Sequence, residues 1–215
     1  MFAFYNFFTK LQIPMPIYKH CQLNSFSKLW VWHITEGEEE LIKHVSLGLN
    51  CANRLEAITH TNPRKGFLAV RSLLNFANIS PNNLHYTNNG KPYLLNGPHI
   101  SFSHTNDFAA IVVGKSPIGV DVERHRTKVK RVAQKFVNPR DQAPLDTIAA
   151  LTDLWCVKES MYKAISIPGI RLSKDISVDL RIPDQGVATY KNDIYDIFRY
   201  VWNDHSCAVT VKNQV

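Results

Sequence analysis

The sequence predicts an α+β fold, with helices packed on largely antiparallel sheets, and three observations predict it. Short segments rich in Val, Ile, Trp and Tyr alternate with polar residues at period two, as half-buried strands do. Two long stretches carry apolar residues at helical spacing. Turn signals such as Asn88-Asn89-Gly90 separate neighbouring strands by only a few residues, too few for a parallel crossover.

The elements follow in order. Met1 to Phe8 is aromatic and apolar, with no basic residue ahead of it. Pro14 and Pro16 follow, where a secretory signal would have a small-residue cleavage site. Residues 1–26 are therefore expected to form an N-terminal extension. Leu29 to Ile34 alternates and contains two Trp and Val31, so it is a strand. Glu38 to Thr59 has helical spacing with acids in its first turn, where they complement the helix dipole. A second helix follows Asn62-Pro63, with Phe67, Val70, Leu73, Leu74 and Ala77 on one face. His99 to Phe102 and Phe108 to Val113 are strands flanking the tight turn Thr105-Asn106-Asp107.

A second mixed half begins with the apolar strand Ile118 to Val122. Val129 to Val137 and Leu145 to Ala164 read as helices, the latter with Leu151, Leu154, Trp155 and Met161 on its apolar face. Ile176 to Leu180, Val187 to Tyr190, Ile194 to Trp202 and Ser206 to Val211 read as strands. The expected organisation is thus an extension (1–26), an N-terminal half (27–117) and a C-terminal half (118–215).

Composition bounds the function. Of 215 residues, 45% are hydrophobic and 20% charged, enough apolar material for a packed core without covalent staples. The net charge of +7 suits anionic partners, or serves solubility alone. Cys21, Cys51, Cys156 and Cys207 form no CxxC pair and no zinc spacing, so a reducing, cytoplasmic setting is expected. No apolar run is long enough for a membrane span.

Two segments carry chemistry. In Gly119-Val120-Asp121-Val122-Glu123 the two carboxylates share one face of a strand and the valines the other. Adjacent acids on an apolar strand repel one another unless something neutralises them. Either a hard divalent cation such as Mg²⁺ does so, or Arg124 and Arg126 pair with them at a strand end. In Leu154 to Ala164, Trp155, Glu159 and Lys163 stand at i, i+4 and i+8 on one helical face. Glu159 is either a third carboxylate for the same cation, with Lys163 beside it, or half of a surface ion pair. Three minor segments offer anion contacts. Ser103 and His104 end a strand at a turn, Lys91 and Pro92 follow Gly90, and Arg64 stands near a helix N-terminus, where backbone N–H groups are unpaired.

Taken together these segments resemble the 4'-phosphopantetheinyl transferase superfamily, in its longer, pseudo-dimeric type that serves surfactin synthetase and related systems. The matching residues are Gly90-Lys91-Pro92, Ser101 to Thr105, Gly119 to Glu123, Trp155 to Lys163 and Gly169 to Ser173, in the family's order across about residues 28 to 212. The resemblance implies two similar α/β halves related by pseudo-twofold symmetry. It implies Mg²⁺-dependent transfer of phosphopantetheine from coenzyme A to a serine of an apo acyl or peptidyl carrier protein, with release of 3',5'-ADP. It assigns Asp121, Glu123 and Glu159 to the metal, Glu159 also to the serine proton, Lys163 to the leaving phosphate and Lys158 to the pyrophosphate. Ser103, His104 and Arg64 would grip the 3'-phosphate and ribose, and Lys91 and Pro92 would line the adenine pocket. A monomer acting on an acidic carrier, away from membranes, completes the expectation. The sequence departs from the family pattern at Ser101, where Asn is usual, and at Asp141, which stands near a usual Glu and for which no role is evident.

Two rivals remain at the level of sequence. One is another Mg²⁺-dependent phosphodiesterase using the same acids. The other is a basic nucleic-acid-binding module, which the placing of the aromatics in predicted cores opposes.

Overall fold

The computed structural model describes residues 17–213. Seventeen elements order as β1 (Ile17–Asn24), β2 (Ser27–His33), α1 (Glu38–Lys43), α2 (Leu49–Glu56), α3 (Thr61–Phe76), β3 (Leu84–Tyr86), β4 (Pro92–Leu94), β5 (His99–His104), β6 (Phe108–Gly114), β7 (Ile118–Arg124), α4 (Val129–Val132), α5 (Ile148–Ile165), α6 (Leu172–Asp175), β8 (Ile176–Asp179), β9 (Gln185–Tyr190), β10 (Asp193–Trp202) and β11 (His205–Lys212). The architecture is mixed, with two antiparallel sheets of strand order β1-β2-β6-β5 and β7-β11-β10-β9-β8 and a small β3-β4 ribbon.

Three apolar clusters hold these layers together. Leu68, Val70, Leu73 and Leu74 of α3 pack on Trp30 and Trp32 of β2 and Ile111 of β6. Leu154, Val157 and Met161 of α5 pack on Ile176, Ile197 and Ala208 of the second sheet. Between the sheets, Leu29, Val31, Ala110 and Val112 meet Val120, Val122, Val209 and Val211. Each central strand thus buries both faces, one against a helix and one against the other sheet. This explains the fully apolar run Phe108 to Val113.

Strand β7 follows from its alternation. Val120 and Val122 enter the inter-sheet core, so Gly119, Asp121 and Glu123 face α5. A methyl group at Gly119 would land on the Ser160 carbonyl oxygen and 2.9 Å from the Ala164 nitrogen, so glycine lets α5 cross β7 in backbone contact. Helix α5 starts where the Thr147 hydroxyl accepts a bond from the Ala150 N–H at 3.0 Å. It stops at Ser166, which is left-handed at φ 55°.

The structure corrects several expectations. Residues 17–24 belong to no extension: they form β1, paired antiparallel with β2, and residues 1–16 lie outside the described ones. The single helix expected over 38–59 is two, α1 and α2, interrupted before Gly48, which caps α2 in extended conformation. Residues 129–137 form one helical turn, α4, followed by a 3₁₀ turn. The Asn88-Asn89-Gly90 turn is present, with Gly90 at φ +79°, a conformation only glycine adopts without strain.

Candidate active site

The acid site forms where α5 lies across β7. Asp121 is buried, and its Oδ1 accepts a hydrogen bond from the Ser103 hydroxyl at 2.9 Å and an ion pair from Lys163 Nζ at 2.8 Å. Lys163 Nζ also donates to the Val120 carbonyl at 2.9 Å. Asp121 Oδ2 is buried with no partner. The Trp155 indole N–H points at Glu123 Oε1, 3.4 Å away, and its ring stacks edge-on against Phe136. Trp155 and Lys163, at the two ends of the i, i+4, i+8 face of α5, thus contact Glu123 and Asp121.

Electrostatics register the crowding. Burial, and then the charge of Asp121, raise the Glu123 carboxyl above its usual range. Burial pushes the Glu159 carboxyl to about 7, helped by Asp121 and Glu123 and opposed by Lys163. Among the described residues, no three His, Cys, Asp or Glu side chains are gathered closely enough to hold a metal ion as they stand. The ammonium of Lys163 lies where a cation would, on Asp121. The donor chemistry nevertheless fits a hard divalent ion. All the donors are carboxylate oxygens, one is buried without a partner, and two belong to glutamates whose charge their surroundings disfavour.

A cleft of about 400 Å³ adjoins Lys163, lined by Lys91, Pro92, Ser101, Phe102, Tyr162 and Ile167. Burial lowers the pKa of Lys91. Ser101 has its own task here: its hydroxyl oxygen accepts the Val120 N–H at 3.1 Å and ties β5 to β7, so the cleft floor and the acid strand move together. His104 lies against α3 at Gly66, where a methyl would overlap the ring at Nδ1. Burial, and the charges of Lys163 and Arg71, hold its pKa down against a hydrogen bond to Thr105. On the other side of Glu123 and Trp155 a second cleft, of about 570 Å³, is ringed by Arg124, Arg126, Lys128, Arg131 and Lys135.

Three of the expected residues are held by other partners. Lys158 does not face the site. One residue before Glu159, it is turned about 100° around the helix and fully buried, with Nζ 2.8 Å from Asp141 Oδ1 and 2.9 Å from the Ile176 carbonyl. The same contact answers the question of Asp141, which also accepts the Asn138 and Val178 N–H groups at 2.8 and 3.0 Å. Arg64 is engaged too: Nε meets Glu38 at 2.6 Å, and a terminal nitrogen donates to the carbonyls of Leu55 and Ile58 at 2.7 and 3.0 Å. It ties α1, α2 and α3 together rather than offering a free cation. Ser103 is spent on Asp121. Sequence reasoning missed the indole contact to Glu123, although Trp155 was already placed on the correct face.

The structure thus sets an α+β protein with paired strand acids, and a lysine on the crossing helix, beside a cleft that also carries Lys91. The particular relationship is to the 4'-phosphopantetheinyl transferase superfamily, whose family model matches residues 117–210. The chain is 31% identical over 111 residues to a 4'-phosphopantetheinyl transferase of Bacillus subtilis, covering 44% of this chain and 50% of the relative. It is 28% identical over 109 residues to the 4'-phosphopantetheinyl transferase gsp of Aneurinibacillus migulanus, covering 46% of each. To the 4'-phosphopantetheinyl transferase Sfp of Bacillus subtilis strain 168 it is 27% identical over 119 residues, covering 47% and 52%. The chain spans about half the length of the curated relatives it matches. Among the described residues no helix is long and apolar enough to cross a membrane.

Proposed function

We propose that this protein transfers 4'-phosphopantetheine from coenzyme A to a serine of an apo acyl or peptidyl carrier protein, releasing 3',5'-ADP. The observation that supports the reading is that Lys163, ion-paired to Asp121, lines the cleft that also carries Lys91 and Phe102.

In this reading Lys91 and Pro92 wall the adenine, and His104 and Lys163 hold the anionic groups. Asp121, Glu123 and Glu159 would hold Mg²⁺, which neutralises charge developing on the pyrophosphate. Asp121 Oδ2 is the natural first donor, because it lacks any other partner. The serine oxygen attacks the β-phosphorus, and the bond to the leaving 3',5'-ADP oxygen breaks. Glu159, its carboxylate beside the ion, accepts the serine proton as a general base. Lys163, held by the Val120 carbonyl, directs its ammonium at the departing phosphate. The basic rim of the second cleft offers an acidic carrier a docking face that leads to Glu123. We also read the halves 27–117 and 118–215 as related by a pseudo-twofold axis within one monomer. Both are antiparallel sheets carrying one long helix, α3 or α5, on the face away from the other sheet.

Incubation with coenzyme A, Mg²⁺ and apo carrier protein, followed by mass measurement of the carrier, tests the function. The expected result is a gain of one phosphopantetheine arm. Nucleotide hydrolysis with an unmodified carrier would instead make the protein a phosphodiesterase.

A further inference from the structure

Lys163 belongs to two places at once. Its ammonium stands 2.8 Å from Asp121 Oδ1, and its side chain lines the cleft beside Lys91 and Phe102. Three oxygens accept from that ammonium: Asp121 Oδ1, the Val120 carbonyl at 2.9 Å and the Phe102 carbonyl at 3.5 Å. The Asp121 side chain is 7% exposed and that of Lys163 29%. The acid is fixed inside the β7–α5 crossing. The lysine, a charge on a flexible four-carbon stem, has the open cleft to turn into.

The two oxygens of Asp121 are used unequally. Oδ1 takes both Lys163 and the Ser103 hydroxyl, whereas Oδ2 is buried with no partner. Among the described residues Lys163 is the one cation paired with this acid. Its charge reaches Glu123 and Glu159 as well. A divalent ion that used Asp121 would therefore meet a positive charge already on the same carboxylate. Two cations sharing one buried carboxylate repel strongly, because little water or salt screens them. An anion in the cleft offers the ammonium a different partner on the side where the lysine is free to move.

We propose that Lys163 is a two-position switch between the acid site and the cleft. On Asp121 it opposes a divalent cation; an anionic group in the cleft draws it off, so cation and phosphorylated ligand bind cooperatively. The inference rests on the coenzyme A reading above and adds a regulation of metal loading to it. Such coupling is reciprocal, so the cation tightens the phosphorylated ligand by the same factor.

Titration of the whole chain with Mn²⁺, followed by the electron paramagnetic resonance signal of the free ion, tests this without turnover. Mn²⁺ takes the same oxygen ligands as Mg²⁺. Lys163→Met should bind Mn²⁺ on the order of tenfold more tightly than the wild type. Lys128→Met removes a cation whose charge acts on Glu123, and it should change Mn²⁺ affinity far less. Coenzyme A should tighten Mn²⁺ in both the wild type and Lys163→Met, by about tenfold more in the wild type, where release of the lysine adds to the gain. Lys163→Gln, which also lacks the charge, repeats the measurement if the methionine variant does not fold. Unchanged or weaker Mn²⁺ binding in either folded Lys163 variant would overturn the switch. So would equal tightening in Lys128→Met, which would reduce the effect to net charge, or an equal gain from coenzyme A with and without the lysine. A chain that meets these expectations yet leaves apo carrier protein unmodified keeps the switch and loses the transferase reading.

Discussion

Replacing Gly119 by alanine adds one methyl group at the crossing of β7 and α5. That methyl would overlap the Ser160 carbonyl oxygen and stand 2.9 Å from both the Ser160 carbonyl carbon and the Ala164 nitrogen. Non-bonded contacts of this kind settle at roughly 3.5–4.0 Å. All three atoms are backbone, so no side chain can turn aside, and α5 has to withdraw by about 1 Å. Overpacking on this scale costs about 1–3 kcal/mol of stability. The same displacement carries Glu159 and Lys163 away from Asp121, and misplacement by about 1 Å costs on the order of a hundredfold in rate. Urea denaturation and initial rates of carrier modification, measured on the same preparation, read both effects. The two losses should appear together, with the activity loss far exceeding any change in the folded fraction. A Gly119→Ala protein with wild-type stability and wild-type rate would refute the close crossing and the argument built on it.

Other outcomes are expected. Glu159 has its folded pKa raised from 4.5 to about 7, so its contribution to stability is present below about 4.5 and is lost as pH rises through 7. Glu159→Gln should therefore raise the melting temperature of the metal-free protein at pH 8 and barely at pH 4, while abolishing transfer. Mg²⁺ should stabilise the wild type more at pH 8 than at pH 6, where protons compete for the same carboxyl. A Lys158→Met change strands Asp141 in the core and should cost about 3–5 kcal/mol by urea denaturation; pairing it with Asp141→Leu should recover much of the loss. Arg64→Ala should cost about 2 kcal/mol, from lost charge-assisted bonds, and leave the affinity for coenzyme A unchanged by calorimetry.

Much of this was legible along the chain because periodicity determines which way a side chain points. Alternation put Asp121 and Glu123 on one face of β7, and the four-residue spacing put Trp155, Glu159 and Lys163 on one face of α5. The same rule should have excluded Lys158, which stands one residue off that face. Strand β1 was missed although His20 to Leu23 alternates polar and apolar residues, because its neighbours Pro14 and Pro16 suggested a loose extension. What sequence could not yield was pairing across distance. Nothing local to Asp141 indicates that Lys158 is its partner, nor does anything near Arg64 point to Glu38 and the carbonyls at the end of α2. The burial of Arg71 with no carboxylate partner among the described residues is a property of three elements at once, α3, β3 and β5.

The seam between β5 and β7 has a consequence for how the chain can be divided. Only Lys115, Ser116 and Pro117 connect β6 to β7, while Ser101 and Ser103 reach across to Val120 and Asp121 through side-chain bonds. The stretch that matches the family model holds the acids but lacks the cleft wall, and expressed alone it would expose the valines of β7 and β11 to water. Cutting the covalent link between Gly114 and Ile118 is a milder operation. The two fragments should stay associated through the inter-sheet core and reconstitute one working site when mixed, as split-protein halves do.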